Sequence, residues 1–331
     1  MAKFDRELVF LCSENARTKM RYMSNMLKKS PQRLKYSLKT LEKEGIIKNA
    51  HCIFDYSYLG IMLFRVYFKG GYIGEKDKAE IIKKLIDNPY IVSIYELSGE
   101  FDLALELGAP NPSRFNKELK KIANLVPTLN NYKILLNVVT HLYPRYYLLE
   151  GSSEITYLEG EKIIGGDRAI ENFNKNEFNI MKNLMINPKI RLTTLAKQSR
   201  LNIKTAISIL KNLQNKKIIK GFKYVLDTNK LGVNKFRLFL KLHNISGEKE
   251  DALMDFMLKA REIVLVNKTV GDWDLEVDIE SVDKIRIRYL ITQIRENFKD
   301  LIETFNIIEF YTYYKRSYLP MYVFGQEGEG I

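Results

Sequence analysis

The chain repeats itself at a fixed offset, and that repeat limits its architecture more than any single motif does. The stretch GEFD, Gly99 to Asp102, recurs as GDWD, Gly271 to Asp274, 172 positions later. Sliding the sequence by the same distance without a gap brings Asn15 onto Asn187 and Ile46-Ile47-Lys48 onto Ile218-Ile219-Lys220. Leu38, Lys39 and Leu41 fall on Leu210, Lys211 and Leu213, and Phe64-Arg65 falls on Phe236-Arg237. Asp55, Leu59 and Gly60 meet Asp227, Leu231 and Gly232. Beyond Leu103 the register loosens, and Arg145 meets Arg316 with a one-residue slip. The 331 residues therefore form an internal duplication, with copies near 4–150 and 176–322. Residues 151–175, rich in Gly, Ser and charge, read as a linker. Extended, it would span roughly 80 Å and so leaves the arrangement of the copies open. Residues 323–331 read as a flexible tail.

Within each copy the hydrophobic period changes partway. Leu8, Val9 and Cys12, then Met20, Met23 and Leu27, then Leu34, Leu38 and Leu41 recur at helical spacing. Ser30-Pro31 is an N-cap followed by proline at the first helical position, and Gly45 ends that third helix. An Ile-Ile pair, a short polar turn and a second extended piece follow, predicting a β-ribbon. Three small helices and a ribbon make a winged helix-turn-helix, expected over 1–60 and again over 176–232. The remaining residues alternate as strand, helix, strand, strand, helix, strand, which predicts ferredoxin-like βαββαβ modules over 61–150 and 233–322. The fold class is α+β.

Charge separates the two kinds of module. Residues 1–60 hold 12 Lys and Arg against 6 Asp and Glu, and residues 176–232 hold 12 against 2. Those segments carry +6 and +10, whereas the whole chain carries only +13. The positive excess thus sits in the helical heads, as phosphate neutralisation requires. No run of eighteen apolar residues suggests a membrane span, and the first ten residues lack secretory-signal character. Two cysteines, Cys12 and Cys52, exclude a disulfide framework and suit a reducing cytoplasm. His51, His141 and His243 are widely separated and unmatched between copies, so no catalytic or metal constellation and no cofactor is expected.

Each copy resembles a complete member of the leucine-responsive/asparagine-regulator (Lrp/AsnC) family of transcription regulators. In copy one the matching stretches are FDRELVFLCSENARTKM, SLKTLEKEGIIKNAHCIFDYSYLG and GEFDLALEL. In copy two they are EFNIMKNLMINPKIRLTTLA, ILKNLQNKKIIKGFKYVLDTNKLG and GDWDLEVDI. The resemblance implies a winged helix-turn-helix joined to an AsnC-type effector module (the RAM module), pairing of modules by their sheets, and double-stranded DNA as partner. The chain departs from the family at Ser37 and Ile209, at Lys217 where a Gly ends the recognition helix, and at Pro188 in the Asn-Ala-Arg turn.

In a helix-turn-helix the second helix of the pair enters the major groove. With Leu34, Leu38 and Leu41 buried, the opposite face presents Gln32, Arg33, Lys35, Tyr36 and Lys39. Gln and Arg suit bidentate reading of base edges, while Lys35 and Lys39 suit phosphates. The equivalent face of copy two presents Lys204, Thr205, Ser208 and Lys211, with no Arg, and promises anchoring more than base discrimination. The copies are expected to form a pseudo-dimer within one chain, its heads about one helical turn, roughly 34 Å, apart. Further self-association of chains is left open.

The repeated tetrapeptides carry two readings. The resemblance implies that Gly99, Asp102, Gly271 and Asp274 lie between the second and third strands of each module, where an amino-acid effector can bind. The alternative is structural: Gly99 and Gly271 make tight turns, Phe101 and Trp273 fill a core, and the two Asp side chains cap backbone N–H groups. Two rival functions stand beside the DNA-binding regulator. One is an effector-sensing or structural protein that has lost DNA binding; the other is a siroheme-decarboxylase-like enzyme, since that group shares the two-module plan.

Overall fold

The computed structural model describes residues 4–69, 75–125, 131–149 and 160–325. The first head is built from α1 (Arg6–Glu14), α2 (Met20–Leu27) and α3 (Pro31–Lys43). Asp5 caps α1 by accepting the Leu8 N–H, and Ser30 caps α3 by accepting the Arg33 N–H. β1 (Ile47–Phe54) leads from the head into β2 (Met62–Phe68), α4 (Glu75–Ile86), β3 (Ile91–Ser98), β4 (Leu103–Ala109), α5 (Pro112–Leu125) and β5 (Tyr132–Leu142). After β6 (Lys162–Gly165) the order recurs. The second head comprises α6 (Lys175–Ile186), α7 (Leu192–Gln198) and α8 (Ile203–Asn215), followed by β7 (Ile219–Leu226). Its module is β8 (Asn234–Leu242), α9 (Gly247–Lys259), β9 (Ile263–Val270), β10 (Leu275–Ser281), α10 (Lys284–Asn297) and β11 (Ile302–Arg316). No helix among the described residues is long and apolar enough to cross a membrane.

The 172-residue offset also governs the backbone. Left-handed residues recur as Lys28 and Arg200, Gly45 and Lys217, Gly60 and Gly232, Gly99 and Gly271. Asn15 and Asn187 each turn the chain after the first helix, accepting the backbone N–H two residues on.

The two modules close on each other. Each last strand begins on its own sheet and ends on the other copy's: β5 pairs with β2 and then with β9, and β11 with β8 and then with β3. The hydrogen-bonded order β5-β2-β4-β3-β11-β8-β10-β9 returns to β5, a closed ring of eight antiparallel strands. Eight strands enclose an interior that side chains can just fill. Alternation assigns the two faces. Phe64, Val66 and Phe68 of β2, with Leu103, Leu105 and Leu107 of β4, pack outward under α4 and α5. Leu238, Leu240, Val277 and Ile279 do the same in copy two. Tyr67, Tyr95, Phe101, Phe239 and Phe310 point inward.

The interior is also ionic. Arg65 meets Glu106 of its own copy at 2.7 Å and reaches Glu276 of the other. Its counterpart Arg237 meets Asp278 at 2.6 Å and donates to the hydroxyls of Tyr67 and Tyr95 at 2.6 and 2.7 Å. Burial disfavours both guanidinium charges, yet the surrounding carboxylates and tyrosines outweigh it and keep both arginines firmly protonated.

Three expectations need correction. The ribbon of each head is not made within its copy: β1 and β7 run straight and pair antiparallel with each other, His51 facing Lys223. Part of the expected linker is ordered, because β6 adds to β5 and Glu171 donates its N–H to the Tyr58 carbonyl. The described part of the linker, from residue 160 on, is thus a strap laid on copy one. The expected tail begins inside the fold, with Val323 and Phe324 buried; residues 326–331 lie outside the described residues.

Candidate nucleic-acid interface

Both third helices present their polar face outward. On α3, Gln32, Arg33, Lys35 and Lys39 are exposed and Tyr36 is 75% exposed, while Leu34 and Leu41 are buried. On α8, Lys204, Ser208 and Lys211 are exposed over a stripe of Ala206, Leu210 and Leu213. Thr205 departs from the expected face: it is half-buried, its N–H held by the Asn202 cap at 2.8 Å.

Ion pairs engage several cations of the heads. Lys29 is held by Asp5 at 2.5 Å, Lys48 by Asp227 at 3.0 Å, Lys189 by Glu42 at 3.3 Å, Lys220 by Asp55 at 3.3 Å and Lys223 by Glu14 at 2.5 Å. These hold the heads together. Arg33, Lys35, Lys39, Lys204 and Lys211 have no carboxylate oxygen within 4.0 Å among the described residues, so their charge faces solvent uncompensated.

The heads are locked to each other rather than tethered. Arg17 of the first Asn-Ala-Arg turn donates to the carbonyls of Pro188 and Ile190 at 2.9 and 3.1 Å, and its guanidinium lies 5.0 Å from the Phe222 ring. Ala16 donates its N–H to the Phe222 carbonyl at 2.8 Å. One hydrophobic cluster runs through both heads and the ribbon. The relative placement of the two recognition helices is therefore a property of the folded chain.

The repeated tetrapeptides form the β3–β4 and β9–β10 turns, and each turn closes a barrel seam. Gly99 lies against Ile308 of β11, and Gly271 against Ile134 and Leu135 of β5. Phe101 is buried in the barrel core and Trp273 packs beside it. Lys133 spans the turns, 3.6 Å from Glu100 and 3.3 Å from Asp272. Gly99, Asp102 and Gly271 are exposed. Asp274 is half-buried, one oxygen accepting the Leu242 N–H at 2.7 Å and the other 3.1 Å from the Lys241 ammonium.

One group of residues escapes the sequence reading. Where the ribbon covers the barrel end, His51 and Lys223 meet Arg145, Lys235 and Arg316 around a small cavity. Repeat register brings Arg145 onto Arg316 and His51 onto Lys223, but convergence of the four depends on the cross-copy ribbon.

The winged helix-turn-helix DNA-binding family matches residues 1–48. An uncharacterized HTH-type transcriptional regulator of Pyrococcus horikoshii, PH0061, is 30% identical over 129 residues, 38% of this chain and 82% of that protein. The HTH-type transcriptional regulator FL11 of the same organism is 22% identical over 144 residues, covering 42% of this chain and 90% of its own length. The crystal structure of the siroheme decarboxylase NirDL matches 97% of this chain and 96% of its own with a TM-score of 0.58, at 12% identity, and so shares the full two-copy fold. Its likeness extends to fold alone. The recognition helices, the turn chemistry and the kinship with PH0061 place this chain in the Lrp/AsnC family of winged helix-turn-helix transcriptional regulators.

Proposed function

We propose that the chain is a sequence-specific DNA-binding regulator whose single polypeptide presents two unequal heads to one asymmetric site. The observation that carries this reading is the uncompensated positive charge on the third helices. Five head lysines elsewhere are paired with carboxylates inside the protein. Arg33, Lys35, Lys39, Lys204 and Lys211, like the exposed Arg21, Lys182, Arg191 and Lys197 around them, have no carboxylate oxygen within 4.0 Å among the described residues and are open to phosphates. Gln32 and Arg33 sit at the start of α3, where side chains reach base edges, and read sequence. Lys204, Ser208 and Lys211 hold backbone. Modulation by an amino acid is proposed at the tetrapeptide turns, where each copy places a Gly and an Asp beside a barrel seam.

Selection of bound sequences from random duplexes, with and without an amino-acid mixture, tests this. A non-palindromic consensus is expected. With about eight phosphate contacts, log affinity should fall against log salt with a slope near −7. A flat salt response would overturn the DNA role.

A further inference from the structure

The two halves of the chain differ in chemistry at one buried place, the junction between the β1–β7 ribbon and the barrel end. His51 and Lys223 are repeat counterparts that face each other in the ribbon. Arg145 and Arg316 are counterparts after β5 and at the end of β11. On one side the charges are satisfied internally. Lys223 lies 2.5 Å from Glu14, and Arg145 lies 2.9 Å from Glu280 and 3.9 Å from Glu14. On the other side the positions corresponding to Glu14 and Glu280 are Ile186 and Gly108. Both carboxylates are gone. A side chain at Gly108 would meet the Pro320 ring at 3.0 Å, so the fold leaves no room for an acid there.

What remains is a basic site without its anion. Arg316 has no carboxylate oxygen within 4.0 Å among the described residues; it hydrogen-bonds the Tyr318 hydroxyl, and its guanidinium lies 4.7 Å from the Tyr313 ring centroid. Glu106, which lines the adjoining cavity and attracts it from farther off, is engaged by Arg65 at 2.7 Å. His51 is only 6% exposed, its ring stacks on Tyr318 at 5.5 Å, and neither ring nitrogen has a hydrogen-bond partner. Leaving a buried polar group unpaired costs about 1–3 kcal/mol. Burial, with Arg316, Lys223 and Arg145 nearby, holds the His51 pKa well below 6.5, so at neutral pH the ring is uncharged and keeps one N–H to donate. Asp278 lines the same cavity but is engaged by Arg237 and Lys235 at 2.6 and 3.4 Å.

We propose that the cavity between His51, Arg316 and Tyr318 binds the carboxylate group of a small organic acid, which takes the place that Glu14 and Glu280 occupy in the other half. The space suits such a group. The cavity beside His51 holds about 20 Å³ and an adjoining one, sharing Arg316 and Tyr318, about 30 Å³. Each admits roughly one or two water-sized atoms, enough for two carboxylate oxygens and too little for a ring system. His51 belongs to the ribbon and Arg316 to the barrel, so a bound carboxylate joins the head pair to its support.

The test titrates the full-length chain with sodium acetate and, separately, sodium phosphate at constant ionic strength. The readout is the ring proton–nitrogen correlations of its 3 histidines. Acetate is expected to shift the His51 signals saturably and leave His141 and His243 in place. Arg316→Gln should weaken that binding at least ten-fold. Arg316→Lys keeps the charge, serves where the first variant does not fold, and should weaken it several-fold. Saturable binding of both anions supports the site and widens its ligand class to oxyanions. Phosphate binding without acetate binding overturns the carboxylate assignment. No saturable His51 shift with either anion, or a shift unchanged in both Arg316 variants, overturns the site itself.

Discussion

The Lys48 ammonium lies 3.0 Å from the Asp227 carboxylate of the other copy, and its counterpart Lys220 lies 3.3 Å from Asp55. The backbone repeats the exchange: Asp55 donates its N–H to the Ile218 carbonyl at 2.8 Å, and Asp227 to the Ile46 carbonyl at 2.9 Å. These are the paired contacts of a two-fold dimer, made within one polypeptide. The two sites are not equally deep. Asp55 is fully buried and also accepts the Ser57 hydroxyl at 2.6 Å and the Gly165 N–H at 3.0 Å. Asp55→Ala should therefore cost about 3 kcal/mol and Asp227→Ala about 1 kcal/mol, measured by chemical denaturation. Equal losses would contradict the difference in burial.

The seam turns predict a second inequality. An added Cβ at Gly271 would stand 2.7 Å from the Leu135 side chain and 2.9 Å from the Ile134 carbonyl oxygen, at φ +147°. At Gly99 the nearest atom is the Ile308 side chain at 3.3 Å, at φ +125°. Gly271→Ala should cost about 2–4 kcal/mol and Gly99→Ala about 1–2 kcal/mol. Thermal unfolding of the two variants measures the order.

Lys217 ends α8 in the left-handed region at φ 62°, where its counterpart is Gly45. Lys217→Gly should relieve that strain and raise stability by about 1 kcal/mol. The same change removes a head cation, so duplex affinity, followed in parallel, reports whether Lys217 also touches phosphate.

Acid should loosen the barrel end through Glu280. Burial opposes its ionisation, but Arg145 and Lys235 outweigh burial and hold the carboxyl down at about 2, from 4.5. A depressed folded-state value means the stabilisation is complete above pH 4.5 and is lost as pH falls toward 2. Its size is on the order of 3 kcal/mol. Glu280→Gln should lower stability at pH 7 and flatten the decline over that acid window.

At the heads, Arg33→Ala should relax preference at one or two base pairs, worth about 1–3 kcal/mol of discrimination. Lys211→Ala should weaken all duplexes alike and reduce the salt slope by about 1. A panel of variant sites measured at two salt concentrations separates the two behaviours. The same loss for both variants on every site would refute the division of labour between heads.

Periodicity made the elements legible, because Leu34 and Leu41 on α3 declare the buried face by spacing alone, and the apolar run around Phe64 and Val66 marks β2 as a strand, although it is buried on both faces. The same logic exposed Arg33 and Lys35, since a helix face follows from its opposite. Pairing partners were not legible. Nothing between Ile47 and Phe54 distinguishes a hairpin folded on its own copy from a strand laid against β7, because both bury the same apolar positions. Lys162–Gly165 is only four residues long, within a stretch whose composition reads as linker. The His51 and Arg316 site was hidden for a related reason. Lack of a partner is a fact about three-dimensional neighbours, visible only once the ribbon and both copies are in place.

The closed ring of strands has a consequence for how such a regulator behaves among its relatives. A dimer assembled from separate chains can trade subunits with any related chain it meets, and its composition follows their relative abundance. Here the complementary edges of both modules are already taken by the same polypeptide. The first and second heads stay in fixed one-to-one proportion, immune to dilution by single-copy homologues.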